Sequence, residues 1–316
     1  MQYRREAASA QSGKEEAVKQ VNWRGVFPAA TTQFTADGAL DLKKTQHLLE
    51  SMLDAGIHGV IMLGSVGENT VLEPEEKLAV VKMAKQTVKG RIPVLSGVAE
   101  YSTALACRYS KACEDAGLDG LMVLPAMVYK ADAREAIAHF RTVAAATKLP
   151  IMIYNNPAAY NVDLQPQDYV ALNDVANLVC IKESSGNPRR ITDIFNTVGD
   201  RFIMFCGLDD LVFEAAALGA VGWVSGFTDA FPKESVKLWE LLEARKFEEA
   251  LKIYRWFTPV LHLDDHPKLV QYIKLAQAMT GVGSEAVRAP RLPLAGAERE
   301  RITALIQRAI DTRPKM

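Results

Sequence analysis

A lysine ends a short apolar segment in the second half of the chain. Residues 178–181 read LVCI with turn-forming residues on both sides, a pattern typical of a buried strand, and Lys182 follows directly. Such a lysine usually extends its ammonium to solvent or pairs with an anion such as Glu183. Alternatively, a desolvated lysine loses its proton easily and becomes an amine nucleophile. Taken alone, the segment favours the solvated ammonium, so other residues have to decide.

Two further segments carry groups that suit chemistry. In LGSVGEN, residues 63–69, the glycines allow backbone N–H groups to face inward, which makes Ser65, Val66 and Gly67 a candidate seat for a small carboxylate. An ordinary turn explains this segment about equally well. Tyr154 ends the apolar run IMIY, and its phenol could transfer a proton. A lone tyrosine is more often a core residue at the rim of a fold.

Three similar segments indicate a supersecondary unit that is used several times. AGIHGVIM, AGLDGLMV and LGAVGWVS occupy residues 55–62, 116–123 and 218–225, and each follows a helical pattern. The first glycine of each segment predicts the end of a helix, and the second predicts the start of a strand.

The whole chain alternates apolar runs with helical patterns. We expect eight strands, GVFPAAT, GVIML, IPVLSG, GLMVL, IMIYN, LVCIK, FIMFCG and VGWVSG. Their near-continuous apolar character predicts a parallel sheet covered on both faces, and eight βα units close naturally into a (β/α)8 TIM barrel. A doubly wound open sheet is the alternative, but the turn PAATTQF lacks the glycines of a phosphate-binding loop.

The chain divides into three predicted parts. Residues 1–20 form a polar lead-in, residues 21–230 the TIM barrel, and residues 231–316 a helical extension. Active sites of such barrels lie at the carboxyl ends of the strands, where Ser65, Tyr154 and Lys182 would meet. An anion seat, a phenol and a buried amine together suit Schiff-base formation with a 2-oxo acid.

Composition excludes several classes of function. The net charge of −1 shows no basic excess, which argues against a nucleic-acid partner. No apolar run approaches about 18 residues, so we expect no membrane partner, and the first residues lack the apolar region of a secretory signal. The four cysteines form no CxxC pair and are expected to be reduced, as in a cytoplasmic protein.

Three motifs in a fixed order resemble one enzyme family. GSVGEN, YNNP and IKES are similar to the motifs of the dihydrodipicolinate synthase and N-acetylneuraminate lyase family of class I aldolases, from about Trp23 to the end of the chain. The resemblance implies a TIM barrel, a Schiff-base lysine at Lys182, a catalytic tyrosine at Tyr154 and a carboxylate seat at residues 65–67. It also implies assembly into homotetramers and no metal or organic cofactor.

The chain departs from the synthase of this family at three positions. Val66 replaces the second threonine of the synthase motif GTTGE, and Ala159 replaces an arginine that helps to hold a dicarboxylate substrate. Met127 stands where the synthase has a tyrosine that reaches the neighbouring subunit, and Tyr129 follows two residues later. These departures argue against lysine biosynthesis, and the sialic acid lyase is also a poor match.

The residues of three sequence segments favour one branch of the family. GSVGEN, LPAMVYKAD and YNNPAAYNVD are most similar to Δ1-pyrroline-4-hydroxy-2-carboxylate deaminases, which implies dehydration and deamination of a cyclic imine to 2-oxoglutarate semialdehyde. Asn156 and Ser184 are candidate contacts for the substrate hydroxyl, although hydrogen bonds within the loop would explain both. A 2-keto-3-deoxy sugar acid dehydratase or aldolase and the true synthase are the alternatives.

Two interpretations from other classes remain open. HLDDH places His262 and His266 four residues apart, a spacing that could bind a divalent cation on one helical face, but no third ligand is evident. A non-enzymatic sensor of 2-oxo acids would keep the cavity without turnover. Val66 and Met127, which replace a threonine and a tyrosine of the synthase, are losses of the kind that such a sensor would show. The presence of both Lys182 and Tyr154 argues for an enzyme.

Overall fold

The computed structural model describes residues 21–315. Eight strands alternate with helices, as the apolar runs predict. The strands are β1 Gly25–Pro28, β2 Val60–Met62, β3 Val94–Val98, β4 Gly120–Val123, β5 Ile151–Asn155, β6 Leu178–Glu183, β7 Ile203–Cys206 and β8 Gly222–Ser225. The α-helices are Leu42–Asp54, Pro74–Val88, Thr103–Asp115, Ala133–Ala145, Pro157–Tyr160, Arg189–Val198, Val212–Ala217, Pro232–Glu243, Phe247–Leu261, Leu269–Thr280 and Gly296–Asp311.

The eight strands form a nearly closed parallel barrel. Each strand pairs with the next along the chain from β2 to β8, and β1 pairs with β8 with Gly25 opposite Gly222. A single parallel bridge between Ala29 and Ile61 joins β1 to β2. Almost every strand residue is buried, because side chains point either into the barrel or against the surrounding helices. The predicted (β/α)8 TIM barrel is therefore confirmed.

The repeated glycines end helices, as predicted. Gly56, Gly117 and Gly219 have φ of +88°, +76° and +106°, and each follows the last residues of a helix. This left-handed backbone suits glycine because other residues would bring their Cβ too close to the chain. The second glycine of each segment serves a different purpose: a Cβ on Gly59 or Gly222 would lie 2.3 or 2.2 Å from the aromatic ring of a neighbouring strand.

Helix Pro232–Glu243 follows the last strand of the barrel. It packs against β1 and against the following helix Phe247–Leu261. Because it completes the eighth βα unit, we propose that the barrel continues to residue 243 and that the extension begins after it. Within residues 21–315, no helix is long and apolar enough to cross a membrane.

The C-terminal extension is attached to loops on two sides of the barrel. Lys274 donates from Nζ to Glu68 Oε1 over 2.5 Å, and both side chains are fully buried. On the other side, Tyr254 donates to the carbonyl of Asp210, and His262 Nδ1 lies 2.7 Å from Asp210 Oδ2. Glu68 follows β2 and Asp210 follows β7, so the extension reaches across the carboxyl end of the barrel. Breaking a buried ion pair typically costs about 3–5 kcal/mol.

Candidate active site

A cavity of about 570 Å³ opens at the carboxyl ends of the barrel strands. Five of the seven predicted site residues line it: Lys182, Tyr154, Ser65, Val66 and Asn156. The remaining walls include residues of the C-terminal extension. A concave site of this volume, with a few convergent polar groups, is typical of a small-molecule site.

Lys182 is buried among the strands and reaches neither solvent nor Glu183. It is 5% exposed and lies opposite Tyr154 in the register of β5 and β6. Its Nζ lies 3.8 Å from the centroid of the Tyr154 ring. Glu183 turns away and accepts from the backbone N–H of Ser185 at 2.7 Å and from Asn155. The ordinary interpretation of this lysine, a solvated or Glu183-paired ammonium, is therefore wrong.

The surroundings of Lys182 favour the neutral amine. Burial lowers the pKa of Lys182 from its usual value, because the ammonium loses its hydration. Asp264, Tyr160 and Asp209 act in the opposite direction and raise the pKa. The net direction is downward, so more of the lysine is unprotonated and nucleophilic than a surface lysine would be at the same pH.

Tyr154 keeps its proton and is held by Asn156. Burial raises the pKa of Tyr154 to about 12. Asn156 donates from Nδ2 to the phenol oxygen over 3.1 Å, while its Oδ1 accepts from the backbone N–H of Ala159 at 3.0 Å. Both ends of the Asn156 amide are thus engaged within the loop, where the side chain starts the short helix Pro157–Tyr160 and orients the phenol.

The turn after β2 presents free backbone donors to the cavity. Leu63 and Glu68 have φ of +56° and +54°, an uncommon conformation for residues other than glycine. Between them, the N–H groups of Ser65 and Val66 find no acceptor in the part of the chain that the structure describes. Neighbouring N–H groups in a turn with left-handed residues form a concavity that suits an anion. Strained backbone of this kind is concentrated at binding sites.

Gly67 is not brought to the cavity. A Cβ at this position would lie 2.8 Å from both the N and the Cα of Leu63, so the backbone packs closely beneath the turn. Its carbonyl accepts from Thr32 Oγ1 at 2.7 Å. The glycine therefore allows the turn to form, and the two residues before it, Ser65 and Val66, line the cavity.

Ser184 lies beneath the cavity rather than on its wall. Its hydroxyl is buried and has no hydrogen-bond partner among residues 21–315. A Cβ on Gly207 would lie 2.0 Å from this hydroxyl and 2.7 Å from Lys182 Cγ. Glycine at position 207 therefore leaves space for both side chains. An unpaired buried hydroxyl next to the lysine is a group that a ligand or water can satisfy.

Tyr160 lines the cavity, although sequence reasoning missed it. Its hydroxyl shares a hydrogen bond with Ser65, and its ring packs edge to face on Tyr154 with 5.6 Å between centroids. The signal was present in the sequence, because an Asn-Pro start predicts a helical turn that carries residue 160 back over residue 156. Tyr160 and Ser65 thus form a hydrogen-bonded pair of hydroxyls, and the ring of Tyr154 packs against Tyr160 beside the lysine.

Tyr129 does not supply a hydroxyl to the cavity of its own chain. It is 59% exposed and donates to the carboxylate of Glu135 at 3.0 Å. Met127 lines the cavity at the position where the synthase motif has its tyrosine. The hydroxyl nearest to Ser65 therefore comes from Tyr160, four residues after the start of a helical turn, and not from the loop after β4.

The HLDDH segment is not the helical face that its spacing suggests. Residues His262–Asp265 form a 3₁₀ turn, after which His266 is extended. His262 bonds to Asp210, whereas His266 stacks against Tyr272 with 5.0 Å between ring centroids. Among the described residues, no three His, Cys, Asp or Glu side chains are grouped as a metal site. The segment instead brings Asp264, Asp265 and His266 to the cavity wall.

The chain belongs to the dihydrodipicolinate synthetase family, which matches residues 22–309. It is 32% identical to the 4-hydroxy-tetrahydrodipicolinate synthase of Exiguobacterium sibiricum over 275 residues, which cover 86% of this chain and 92% of that protein. The structure of the synthase from Methylacidiphilum fumariolicum SolV has a TM-score of 0.87 at 28% identity and covers 92% of this chain and 97% of that chain.

A third relative was solved with a small ligand. The chloride-inhibited dihydrodipicolinate synthase of Acinetobacter baumannii, complexed with pyruvate, has a TM-score of 0.86 at 26% identity, over 91% of this chain and 99% of that chain. The family places this chain among the class I lyases, so it is an enzyme. The names of these relatives match the synthase alternative rather than the deaminase branch.

Pyruvate and borohydride should label Lys182 alone. We expect one stable mass increment on the intact protein, located by peptide mass spectrometry, because reduction fixes the imine formed by the neutral amine. Lys274 is a matched control, since it is also buried but is paired with Glu68. Lys182→Arg should give no label, because guanidinium stays protonated. A label on any other lysine would contradict the assignment.

Tyr160→Phe should slow imine formation with pyruvate by about 10²–10⁴, the usual range for one proton-transfer group. Pyruvate affinity should change much less, because the backbone donors at Ser65 and Val66 are untouched. The rate is measured by quenching with borohydride at timed intervals. Tyr129→Phe is the control and should react like the unmodified chain. An unchanged rate in Tyr160→Phe would leave Tyr160 as a packing residue.

Proposed function

We propose that the chain forms a Schiff base between Lys182 and a small 2-oxo acid or its cyclic imine, and then eliminates a hydroxyl group from carbon 4. The proposed substrate is Δ1-pyrroline-4-hydroxy-2-carboxylate, and the products would be 2-oxoglutarate semialdehyde and ammonia. A 2-keto-3-deoxy sugar acid offers the same hydroxyl next to the same carbon and is the nearest alternative substrate.

One observation carries this proposal: the three departures from the synthase motif line one cavity. Val66, Met127 and Ala159 all face it, and they present methyl and thioether groups where a synthase would have a hydroxyl, a phenol and a guanidinium. Aspartate semialdehyde brings a second carboxylate, which needs a cation. Of the described lining residues, Arg291 alone carries a permanent cation, and Arg291 lies 3.6 Å from Glu68. The cavity therefore favours a substrate with one carboxylate.

The free donors of the turn after β2 support the binding step. The substrate carboxylate would accept from the N–H groups of Ser65 and Val66, which have no other acceptor among the described residues. This contact would direct the carbonyl or imine carbon next to the carboxylate toward the Lys182 amine. Backbone donors are already in position, so binding costs little reorganisation.

The covalent steps would follow from the neutral amine. Lys182 attacks carbon 2 of the cyclic imine, and the ring opens to leave a primary amine on carbon 5 and an iminium at carbon 2. Tyr154, with a pKa raised to about 12, donates and recovers the proton that this exchange requires. Tyr160 and Ser65 extend the path of that proton through their shared hydrogen bond.

Elimination and hydrolysis would complete the reaction. The iminium acidifies carbon 3, which loses a proton while the hydroxyl on carbon 4 leaves as water. The double bond then moves to carbon 5 and forms an imine, and water releases ammonia and an aldehyde. A second water frees the product from Lys182. The protonated imine is the electron acceptor throughout.

Synthase activity is the second candidate, because the relatives that match most of the chain carry that name. It would require the condensation of pyruvate with aspartate semialdehyde in the same cavity. Arg291 is the group that could hold the second carboxylate if Glu68 released it. Both candidate reactions use Lys182. The synthase reaction requires a cation in the cavity wall for a second carboxylate, whereas the deaminase reaction does not.

A turnover screen separates the candidates. The cyclic imine should be converted to 2-oxoglutarate semialdehyde, followed with a coupled aldehyde dehydrogenase, together with one ammonia per turnover. Condensation of pyruvate with aspartate semialdehyde should be negligible, because Ala159 offers no cation to the second carboxylate. Lys182→Arg controls for contaminating enzymes. Synthase activity equal to or above the turnover of the cyclic imine would overturn the proposed substrate.

We also propose that copies of this chain assemble through the loops after β3 and β4, giving a homotetramer. Tyr101, Val128 and Tyr129 are 57%, 85% and 59% exposed, and Val128 has a φ of +74°, which is unusual for a β-branched residue. Exposed apolar side chains on neighbouring loops are typical of an interaction surface.

Sedimentation velocity at micromolar concentration tests this assembly. The unmodified chain should sediment as a tetramer, and Val128→Asp should shift it to smaller species, because the charge would be buried at the interface. Val170→Asp is the control, since Val170 is also exposed but lies in another loop, within the 3₁₀ helix Pro166–Leu172. A monomeric unmodified chain would contradict the proposal.

A further inference from the structure

We propose that Asp264, which the C-terminal extension brings to the cavity, removes the proton from carbon 3 of the Lys182-bound substrate and returns it to the departing hydroxyl. The proton removal requires only the Schiff base, whereas the return to a hydroxyl rests on the proposed function above. No residue of the barrel has been assigned above as the general base that removes this proton.

The geometry places the Asp264 carboxyl and the Lys182 amine in one space. A Cβ on Gly226 would lie 2.5 Å from Asp264 Oδ1, so the carboxyl occupies the position above the end of β8. In the same way, the stem of Lys182 occupies the space above Gly207, at the end of β7. Both glycines line the cavity, and β7 and β8 are neighbours in the barrel. The two groups therefore approach the substrate from adjacent strand ends.

Contacts outside the cavity hold the turn that carries Asp264. His262, two residues earlier, bonds to Asp210, and Leu263 is buried in the core. Tyr254 donates to the carbonyl of Asp210 and to Glu214 Oε2, the latter at 3.0 Å. The 3₁₀ turn is thus fixed to the loop after β7. A catalytic group needs this kind of support from residues that do not touch the substrate.

Two acidic side chains lie close together here, and their surroundings differ. Asp209 accepts from Trp223 Nε1 at 3.0 Å, from Ser225 Oγ at 3.2 Å and from the backbone N–H of Phe227 at 2.8 Å. In the described part of the chain, no side chain donates to the carboxyl of Asp264. Burial raises the pKa of Asp264, and the nearby charge of Asp209 raises it further. Burial also raises the pKa of Asp209, to about 7, although the groups that donate to it act against this rise. Neighbouring carboxyls whose surroundings differ in this way are typical of sites where one group exchanges a proton.

The phenols are unsuited to remove the carbon 3 proton. Burial raises the pKa of Tyr154 to about 12 and raises that of Tyr160 as well, so both keep their protons and act as donors. A carboxylate is the better base for a carbon acidified by an iminium, because it is ionised over a wider range of pH. A positive charge at Lys182 lowers the pKa of Asp264 and therefore favours that ionised form. The positive iminium would act in the same direction.

The step balances without any further reactant. The Asp264 carboxylate takes the proton from carbon 3, and the electrons of that bond form an enamine between carbons 2 and 3. The enamine then re-forms the iminium while a double bond forms between carbons 3 and 4 and the bond to the hydroxyl breaks. The Asp264 carboxyl gives its proton to the hydroxyl, which leaves as water, and the side chain is again a carboxylate.

Asp264→Asn tests the proposal with pyruvate in D₂O. The unmodified chain should exchange the methyl protons of pyruvate for deuterium, followed by NMR, because the enamine forms and is reprotonated. Asp264→Asn should lose at least about 10² in the exchange rate, in line with the loss of one acid–base group. Borohydride trapping of pyruvate on Lys182 should persist within a few fold. Asp193→Asn, an exposed carboxylate outside the cavity lining, should exchange like the unmodified chain.

Each outcome supports or overturns the assignment. Exchange that survives in Asp264→Asn would overturn it, as would an unmodified chain that forms the imine without exchange. Loss of trapping together with exchange would assign Asp264 to imine formation and would also overturn it. Asp264→Ser provides a second variant if the amide variant does not fold. Because pyruvate is the probe, failure of the cyclic imine in the turnover screen would remove the proposed substrate and leave this test intact.

Discussion

The amine of Lys182 lies 3.8 Å from the centre of the Tyr154 ring, at the end of a strand whose six residues are all buried. Removing an ammonium from water is costly, so the lysine gives up its proton more readily than a surface lysine. The residues around Lys182 accommodate its buried amine. Gly207 leaves room for the lysine stem, and the nearby titratable groups that act on its charge are carboxyls, a phenol and a thiol rather than other cations.

The C-terminal extension completes the site rather than merely covering the barrel. Its two attachments, Lys274 with Glu68 and His262 with Asp210, join it to loops on opposite sides of the cavity. The fully buried Lys274–Glu68 pair also supports the strained turn after β2, because Glu68 is one of its left-handed residues. The C-terminal extension therefore fixes the anion seat and Asp264 relative to each other. This arrangement keeps the reacting groups in place without help from the substrate.

The chain shares its fold with a synthase, and the proposed function rests on the side chains of the cavity wall. A TM-score of 0.87 at 28% identity describes the same barrel with different side chains on it. Val66, Met127 and Ala159 make one wall apolar, and Tyr160 supplies a hydroxyl from within the chain. A barrel hosts many reactions because the strands hold the loops and the loops hold the chemistry. The names of relatives therefore indicate the mechanism of this chain more firmly than its substrate.

The barrel and the position of Lys182 could be predicted from the sequence, because both depend on local patterns. Apolar runs of strand length, glycines after each helix and a lysine at the end of one run are visible within a few residues. Asp264 could not be recognised as a member of the site, Tyr160 was signalled only by the Asn-Pro start of its helical turn, and Gly67 packs beneath the turn instead of lining the cavity. Their positions depend on contacts between segments that are far apart in the chain, such as Ser65 with Tyr160 and Gly226 with Asp264. Only the closed barrel with its docked extension brings those segments together.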